Sequence, residues 1–291
     1  MAIETTASNT ALLQSQVADL LVQPLAQAST FLAAGPQIFD TSNPLRIPRI
    51  TSGVNAGFYA EAVQIGDGTV TFDEIDLLPS TLKSLKVLVR FSNEMVRQSV
   101  VALDATLRST LVTNVAQALD AALWDGTGTS DTIKGILRQS GIATGVLDLT
   151  DADSLIDGLA TAQANKVNPT HWVMTSASFA KLRKLKIANP GSTSDQDFRQ
   201  YLFDPTGISG GTAFRLFGLP VIITDNIPAV STKNRVALVD FSKVAVARDV
   251  DAVVKLLDQT WGDYDSQGIR VVTRYDVGLL HSEAVTLLTE A

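Results

Sequence analysis

The chain has no cysteine among its 291 residues, so neither a disulfide framework nor thiolate chemistry is available to it, and a reducing compartment suits it. Histidine is nearly as scarce. With only His171 and His281, and no cysteine to join them, a multi-histidine metal centre is not expected. No run approaches the roughly 18 consecutive apolar residues that cross a bilayer. The first 45 residues carry Glu4, Asp19 and Asp40 but no lysine or arginine. That excludes a secretory signal, which needs a positive start, and a basic arm for nucleic acid. These absences imply a protein made in the cytoplasm that does not insert into a membrane.

What is present is a 45% hydrophobic chain of net charge −7, long enough for one large domain or two ordinary ones. Residues 1–45, rich in Ala, Gln, Ser and Thr, read as an arm with helical pieces broken at Pro24 and "AAGPQ". In the next stretch Val63 and Ile65 alternate toward Asp67-Gly68, and Val70 and Phe72 alternate away, a strong hairpin signal. From Gly53 to Ser80 the segment holds Glu61, Asp67, Asp73, Glu74 and Asp76 and no basic residue. A charge of −5 with few large apolar residues cannot form its own core, so the hairpin is expected to lie on another surface.

A long helix follows from Ser92 or Asn93. Val96, Val100, Leu103, Leu107, Leu111, Val115, Ala118 and Ala122 recur at spacings of three and four, and Gly126 can end it. Beyond it come a helix over 151–165, a strand at "HWVMTS", a basic helix "ASFAKLRKLKIA", and the strands "RLFGLPVIITD", "RVALVDF", "KVAVARDVDAVVKLL" and "IRVVTRYDVGLLHSEAVTLL". The fold class is α+β, with no internal repeat.

Several motifs could carry chemistry. "DGTGT" at 125–129 approaches an aspartyl-phosphate motif, but Gly126 stands at its second position and a helix precedes the aspartate where a strand is required. Asp131 occupies the position where a dinucleotide loop needs its third glycine. "GISGG" at 207–211 formally matches a nucleophile elbow, and Ser209, Asp225 or Asp240, then His281 follow hydrolase order; the apolar β-prone run after it argues for a flexible loop. His171 beside Trp172 reads as a packed or edge side chain. Lys181, Arg183, Lys184 and Lys186 read as a solvated or subunit-facing side of their helix.

The blocks "FSNEMVRQS", "ALDAALWDGTGTSDTIKGIL", "HWVMTSASFAKLRKLK", "LFGLPVIITDNIPA", "ALVDFSKVAVARD" and "IRVVTRYDVGLLHSEAVTLL", in this order over most of the chain, resemble the major capsid proteins of tailed double-stranded DNA bacteriophages, whose fold is shared with encapsulins. The resemblance implies an N-terminal arm over 1–45, an extended loop over 46–82 that lies on the adjacent subunit, and a spine helix with the first part of a peripheral domain over 83–134. It further implies an axial domain over 135–245, peripheral strands over 246–274, and a return to the axial domain over 275–291. The implied function is self-assembly into hexamers and pentamers of an icosahedral shell around double-stranded DNA, with no enzymatic activity, cofactor or metal.

The resemblance also implies portal, scaffolding and decoration proteins as partners, packaged DNA held without specific binding, no membrane, and a place in the virion after assembly in the host cytoplasm. The glycines at 126, 128 and 135 would let the chain turn sharply from spine to axial domain. Glu61, Asp67, Asp73, Glu74 and Asp76 become subunit-interface candidates, with Lys83, Lys86, Arg90 and Arg97, or the 181–186 cluster, as the basic surface they need. Some relatives weld subunits through a loop lysine; no lysine or arginine lies between Arg49 and Lys83, so that link is not available at the loop tip. A start at Met1 with a short arm implies scaffolding that is separate or absent. The rival readings are an encapsulin-type compartment shell and a serine hydrolase at Ser209.

Overall fold

The computed structural model describes residues 29–52, 58–59, 71–79, 84–94, 103–129, 131–185, 214–249 and 253–291. In chain order the elements are α1 (Thr30–Ala33), β1 (Gln37–Asp40), β2 (Leu45–Ser52), β3 (Thr71–Leu77), β4 (Leu85–Ser92), α2 (Leu103–Asp125), β5 (Ala143–Leu147), α3 (Asp153–Ala164), β6 (His171–Met174) and α4 (Ser176–Arg183). They continue with β7 (Arg215–Leu216), β8 (Leu219–Ile223), β9 (Arg235–Val239), β10 (Val244–Arg248), β11 (Val253–Trp261), β12 (Ser266–Thr273), β13 (Tyr275–Leu279) and β14 (Val285–Glu290).

A six-stranded sheet runs in the order β5-β14-β9-β6-β8-β7. Its central strand β9 is buried at every position, because each face meets a different core. Trp172, Met174, Val236, Leu238 and Leu288 face one way, toward Leu155 and Ala162 of α3 and Leu182 of α4. The alternate residues Val173, Ala237, Val239, Val285 and Leu287 face the other, toward the C-terminal half of α2. The period of two thus divides one strand set between two cores.

The same division recurs in the sheet β1-β10-β13. Val244, Val246, Val277 and Leu279 join the α2 core. The opposite face is made of small residues, Ala245, Ala247 and Gly278, and the paired strands β2 and β3 rest there through Leu45, Ile47, Ile75 and Leu77. A side chain at Gly278 would meet Ile75 and Leu77 within 2.8 and 2.9 Å. The hairpin is therefore not a free arm along its length; its root packs on its own chain. A third sheet, β11-β12-β4, turns Leu85, Val87, Val89, Ile269 and Val271 to the α2 core.

Three expectations from the sequence change. "RLFGLPVIITD" is not one strand but the hairpin β7–β8, turned at Phe217 and Gly218, both at positive φ, as a two-residue hairpin loop demands. "KVAVARDVDAVVKLL" divides into β10 and β11, which belong to different sheets. In α2 the buried stripe runs Leu111, Val115, Leu119 and Leu123, with Ala116, Asp120 and Trp124 beside it, whereas Ala118 is exposed and Ala122 only half-buried. The inward face is rotated because α1 lies against the last turns of the helix and draws Asp120 and Trp124 inward. The Asp67-Gly68 turn, Val63, Ile65, Val96 and Val100 lie outside the described residues.

Candidate assembly joints

Helix α2 ends in two aspartates, Asp120 and Asp125, with no basic residue in its last turn. A carboxylate at the negative end of a helix dipole is unfavourable, so each must draw donors from elsewhere. Both are buried, and each finds its donors on a different part of the fold.

Asp120 receives the N-terminal arm. Ser29 Oγ donates to its Oδ1, and the Thr30 backbone N–H and Oγ1 each donate to Oδ2 at 2.7 Å. Ser29 in turn caps α1 by accepting the Leu32 N–H at 3.1 Å. The short helix so fixed inserts Phe31 edge-on against Trp124, centroids 4.7 Å apart, and against Phe241 at 5.7 Å.

Asp125 closes the glycine turn onto the six-stranded sheet. Arg235 of β9, itself 5% exposed, donates to both oxygens at 3.1 and 2.8 Å; Arg138 donates from the other side at 3.0 and 3.1 Å. Burial alone would raise this carboxyl's pKa, and the bonds from Arg235 and Arg138 outweigh it, holding it below the ordinary carboxylate value. Arg235 also donates to Pro228 O at 2.6 Å, so the guanidinium is well supplied.

The turn itself is a closed backbone ring. Gly126 N–H donates to Ala122 O, Gly135 N–H to Gly126 O, and Gly128 N–H to Ile133 O. A Cβ on Gly126 would lie 2.2 Å from Ile133 O, and one on Gly135 2.5 Å from Trp124 O, so contact rather than dihedral freedom requires glycine at both. Gly128 alone of the three has a left-handed φ, +70°. Thr127, Thr129 and Thr132 bond among themselves across the turn, as between Thr127 Oγ1 and Thr132 Oγ1 at 3.0 Å.

Asp276 of β13 holds the root of the hairpin. It accepts the N–H of Leu78 at 2.9 Å and of Val277 at 2.9 Å. Leu78 is buried with φ of 52°, a left-handed bend in a leucine that this bond helps to fix. Burial pushes the Asp276 carboxyl's pKa up, against the pull of the two backbone bonds.

The acidic candidates separate. Asp73, Glu74 and Asp76 lie on β3, where arginines of β2 meet them within the hairpin. Arg49 bonds Asp73 at 2.9 Å, and Arg46 reaches both Glu74 and Asp76, at 3.3 and 3.0 Å, across the register with β2. Lys86 and Arg90 project from the exposed side of β4. Glu61, Asp67, Lys83 and Arg97 lie outside the described residues. So does Ser209. Asp225 accepts from Ser176 at the start of α4, while Asp240 accepts from Ser242 and His281 Nδ1 from the Glu283 N–H within local turns. His171 packs edge-on against Phe241, and burial lowers its pKa. Lys181 meets Glu290 at 3.9 Å, while Arg183 stacks on Phe179 and Phe214.

Sequence reasoning singled out the glycine turn but missed the buried aspartates. The signals were present: two acids where a helix end disfavours them, and an aspartate within the apolar strand "YDVGLL".

Buried carboxylates on α2 and β13 thus root the N-terminal arm and the hairpin on the body of the fold. Residues 9–289 match the Phage capsid family, and the chain belongs to it. It is similar to the major capsid protein of Klebsiella oxytoca phage phiKO2, 22% identical over 273 residues, which are 84% of this chain and 59% of that protein. The capsid of a native GTA particle superposes with a TM-score of 0.72 at 20% identity, over 90% of this chain and 91% of the other. Gordonia phage Cozz follows with a TM-score of 0.68 at 16% identity, over 90% and 86%. These likenesses show the fold, the tailed-phage capsid fold.

Proposed function

We propose that this chain is the major capsid subunit of a tailed phage and associates as hexamers and pentamers into an icosahedral shell around double-stranded DNA. The observation that carries this reading is the pattern of anchoring. Two appendages are pinned at their roots by Asp120 and Asp276, and Asp125 welds the long helix to the sheet, while the hairpin's outer face stays exposed, as a subunit needs that must reach a neighbour without unfolding. On this reading residues 46–82 form the extended loop, 135–245 the axial domain and 246–274 peripheral strands, with 275–291 returning to the axial domain. The partners are further copies of the chain, with portal, scaffolding and decoration proteins. The role is structural, and DNA is enclosed without specific binding, consistent with a net charge of −7. Assembly takes place in the host cytoplasm and the product is the virion.

Electron microscopy of the purified chain, expressed alone and with its neighbouring phage genes, tests this directly. Closed shells or capsomer rings are expected; a persistent monomer in both preparations would contradict it. Reversing the charges of Asp73 and Glu74 should lower shell yield while leaving the subunit folded.

A further inference from the structure

The segment Leu77-Leu78-Pro79, at the root of the hairpin, is held in an uncommon conformation. Leu78 has φ of 52°, a left-handed value that a leucine side chain disfavours. It also precedes a proline, which biases the residue before it toward extended backbone. An extended Leu78 is therefore the relaxed alternative, and the bend persists only because its surroundings hold it. Three contacts do so. Asp276 Oδ2 accepts the Leu78 N–H at 2.9 Å, Arg274 donates to Pro79 O at 3.3 Å, and Leu77 sits over Gly278, where a Cβ would meet it at 2.9 Å. The last two are indifferent to pH, since an arginine stays charged and a glycine has no side chain to titrate. The first is not.

Asp276 is 8% exposed and lies on an apolar face of β13. There β10 presents Ala245 and Ala247, β2 presents Leu45 and Ile47, and β3 presents Ile75 and Leu77. The charged groups of these elements are engaged elsewhere. Arg274 meets Asp249 at 3.7 Å, Arg248 of β10 binds Asp40 of β1, and Arg46 and Arg49 of β2 bind the three acids of β3. Tyr275 points to the opposite face, into the α2 core. Burial accordingly raises the Asp276 pKa, against the pull of the two backbone N–H bonds.

Closing the bend and binding a proton are therefore linked. With the bend closed, an ionised Asp276 is cut off from water and has no ion pair among the described residues; with the bend open, the carboxylate is hydrated and its pKa returns toward 3.8. The protonated acid still serves the bend, because its carbonyl oxygen accepts the Leu78 N–H. The closed bend, as the state with the higher pKa, gains as pH falls through that value and weakens as pH rises through it.

We propose that the Leu78–Pro79 bend is a proton-set latch: protonated Asp276 locks the hairpin root on β13, and ionised Asp276 lets Leu78 relax toward extended backbone and the root lift from its seat on Gly278. The latch belongs to the folded subunit and acts whether or not the subunit assembles, so its failure and that of the capsid reading are separate results.

Two signals from the free wild-type subunit test it between about pH 4.5 and 8. One is the Asp276 carboxyl resonance by NMR; the other is hydrogen-exchange protection of the Leu78 amide, corrected for the intrinsic pH dependence of exchange. The two should share one midpoint, with Leu78 protection falling severalfold as pH rises across it. The Leu32 amide, capped by Ser29 at the other joint, should show no such step. Asp276→Asn keeps an acceptor for the Leu78 N–H but cannot titrate, so it should abolish the step; its melting temperature shows whether it folds, and if it does not, the two wild-type signals decide. Leu78 protection that stays constant while the Asp276 carboxyl titrates, or a step that survives in Asp276→Asn, would overturn the latch. An equal step at Leu32 would assign the effect to global unfolding and overturn it as well.

Discussion

The glycine end of the long helix and the root of the hairpin are both closed by a buried aspartate, and they solve the burial of that charge in opposite ways. Asp125 is met by two guanidiniums, and its carboxyl is held below the ordinary range. Asp276 receives backbone N–H groups from Leu78 and Val277, has no salt bridge among the described residues, and has its pKa raised by burial. The first joint is a charge-balanced weld between helix and sheet. The second holds a backbone bend and keeps part of its desolvation cost uncompensated, so its strength responds to protons with the opposite sign.

The largest break in this contrast comes at the weld. Arg235→Leu leaves Asp125 buried with only the half-exposed Arg138, and should lower subunit stability by about 3–5 kcal/mol in urea unfolding. At the hairpin root, Gly278→Ala places a methyl group against Ile75 and Leu77 and should cost about 1–3 kcal/mol, with loosening confined to the hairpin. Hydrogen exchange across 71–79 would show that confinement.

Acid sharpens the contrast because the two signs differ. Asp125, with a depressed pKa, contributes stability that is present above 3.8 and lost as pH falls through its folded value. Asp276, with a raised pKa, binds its proton more tightly folded than unfolded. Its share of stability therefore rises as pH falls from neutral through its folded value toward 3.8. Comparing wild type with Asp276→Asn at neutral pH and at about pH 5 should show the variant losing relative stability at the lower pH. The smallest effect is expected at the exposed Arg46, where Arg46→Ala should leave the urea midpoint unchanged, since a surface pair held by long side chains contributes little.

The sequence carried the α+β class, the long helix with its end at Gly126, and the strands β6, β8, β9 and β14 of the six-stranded sheet, because apolar alternation and glycine record themselves locally. It did not carry the division of 244–261 between two sheets, which depends on where the chain crosses between layers rather than on any residue's propensity. Nor did it carry the β7–β8 turn, since Phe217-Gly218 lacks the usual asparagine or aspartate. The hairpin's acids were visible, but Arg46 and Arg49 lay just before the counted segment, and only the register of β2 against β3 brings the signs together. The buried aspartates were legible only as local contradictions, whose resolution sits 90 to 198 residues away in sequence.

The central claim is that the arms are fixed at their roots while their outer faces wait for another copy. Amide hydrogen exchange on the free subunit and on the assembled shell tests it most directly. Residues 29–34 and 77–79 should be protected equally in both states, and 71–76 should gain protection only in the shell. Protection gained at the roots and unchanged on the outer faces would contradict it.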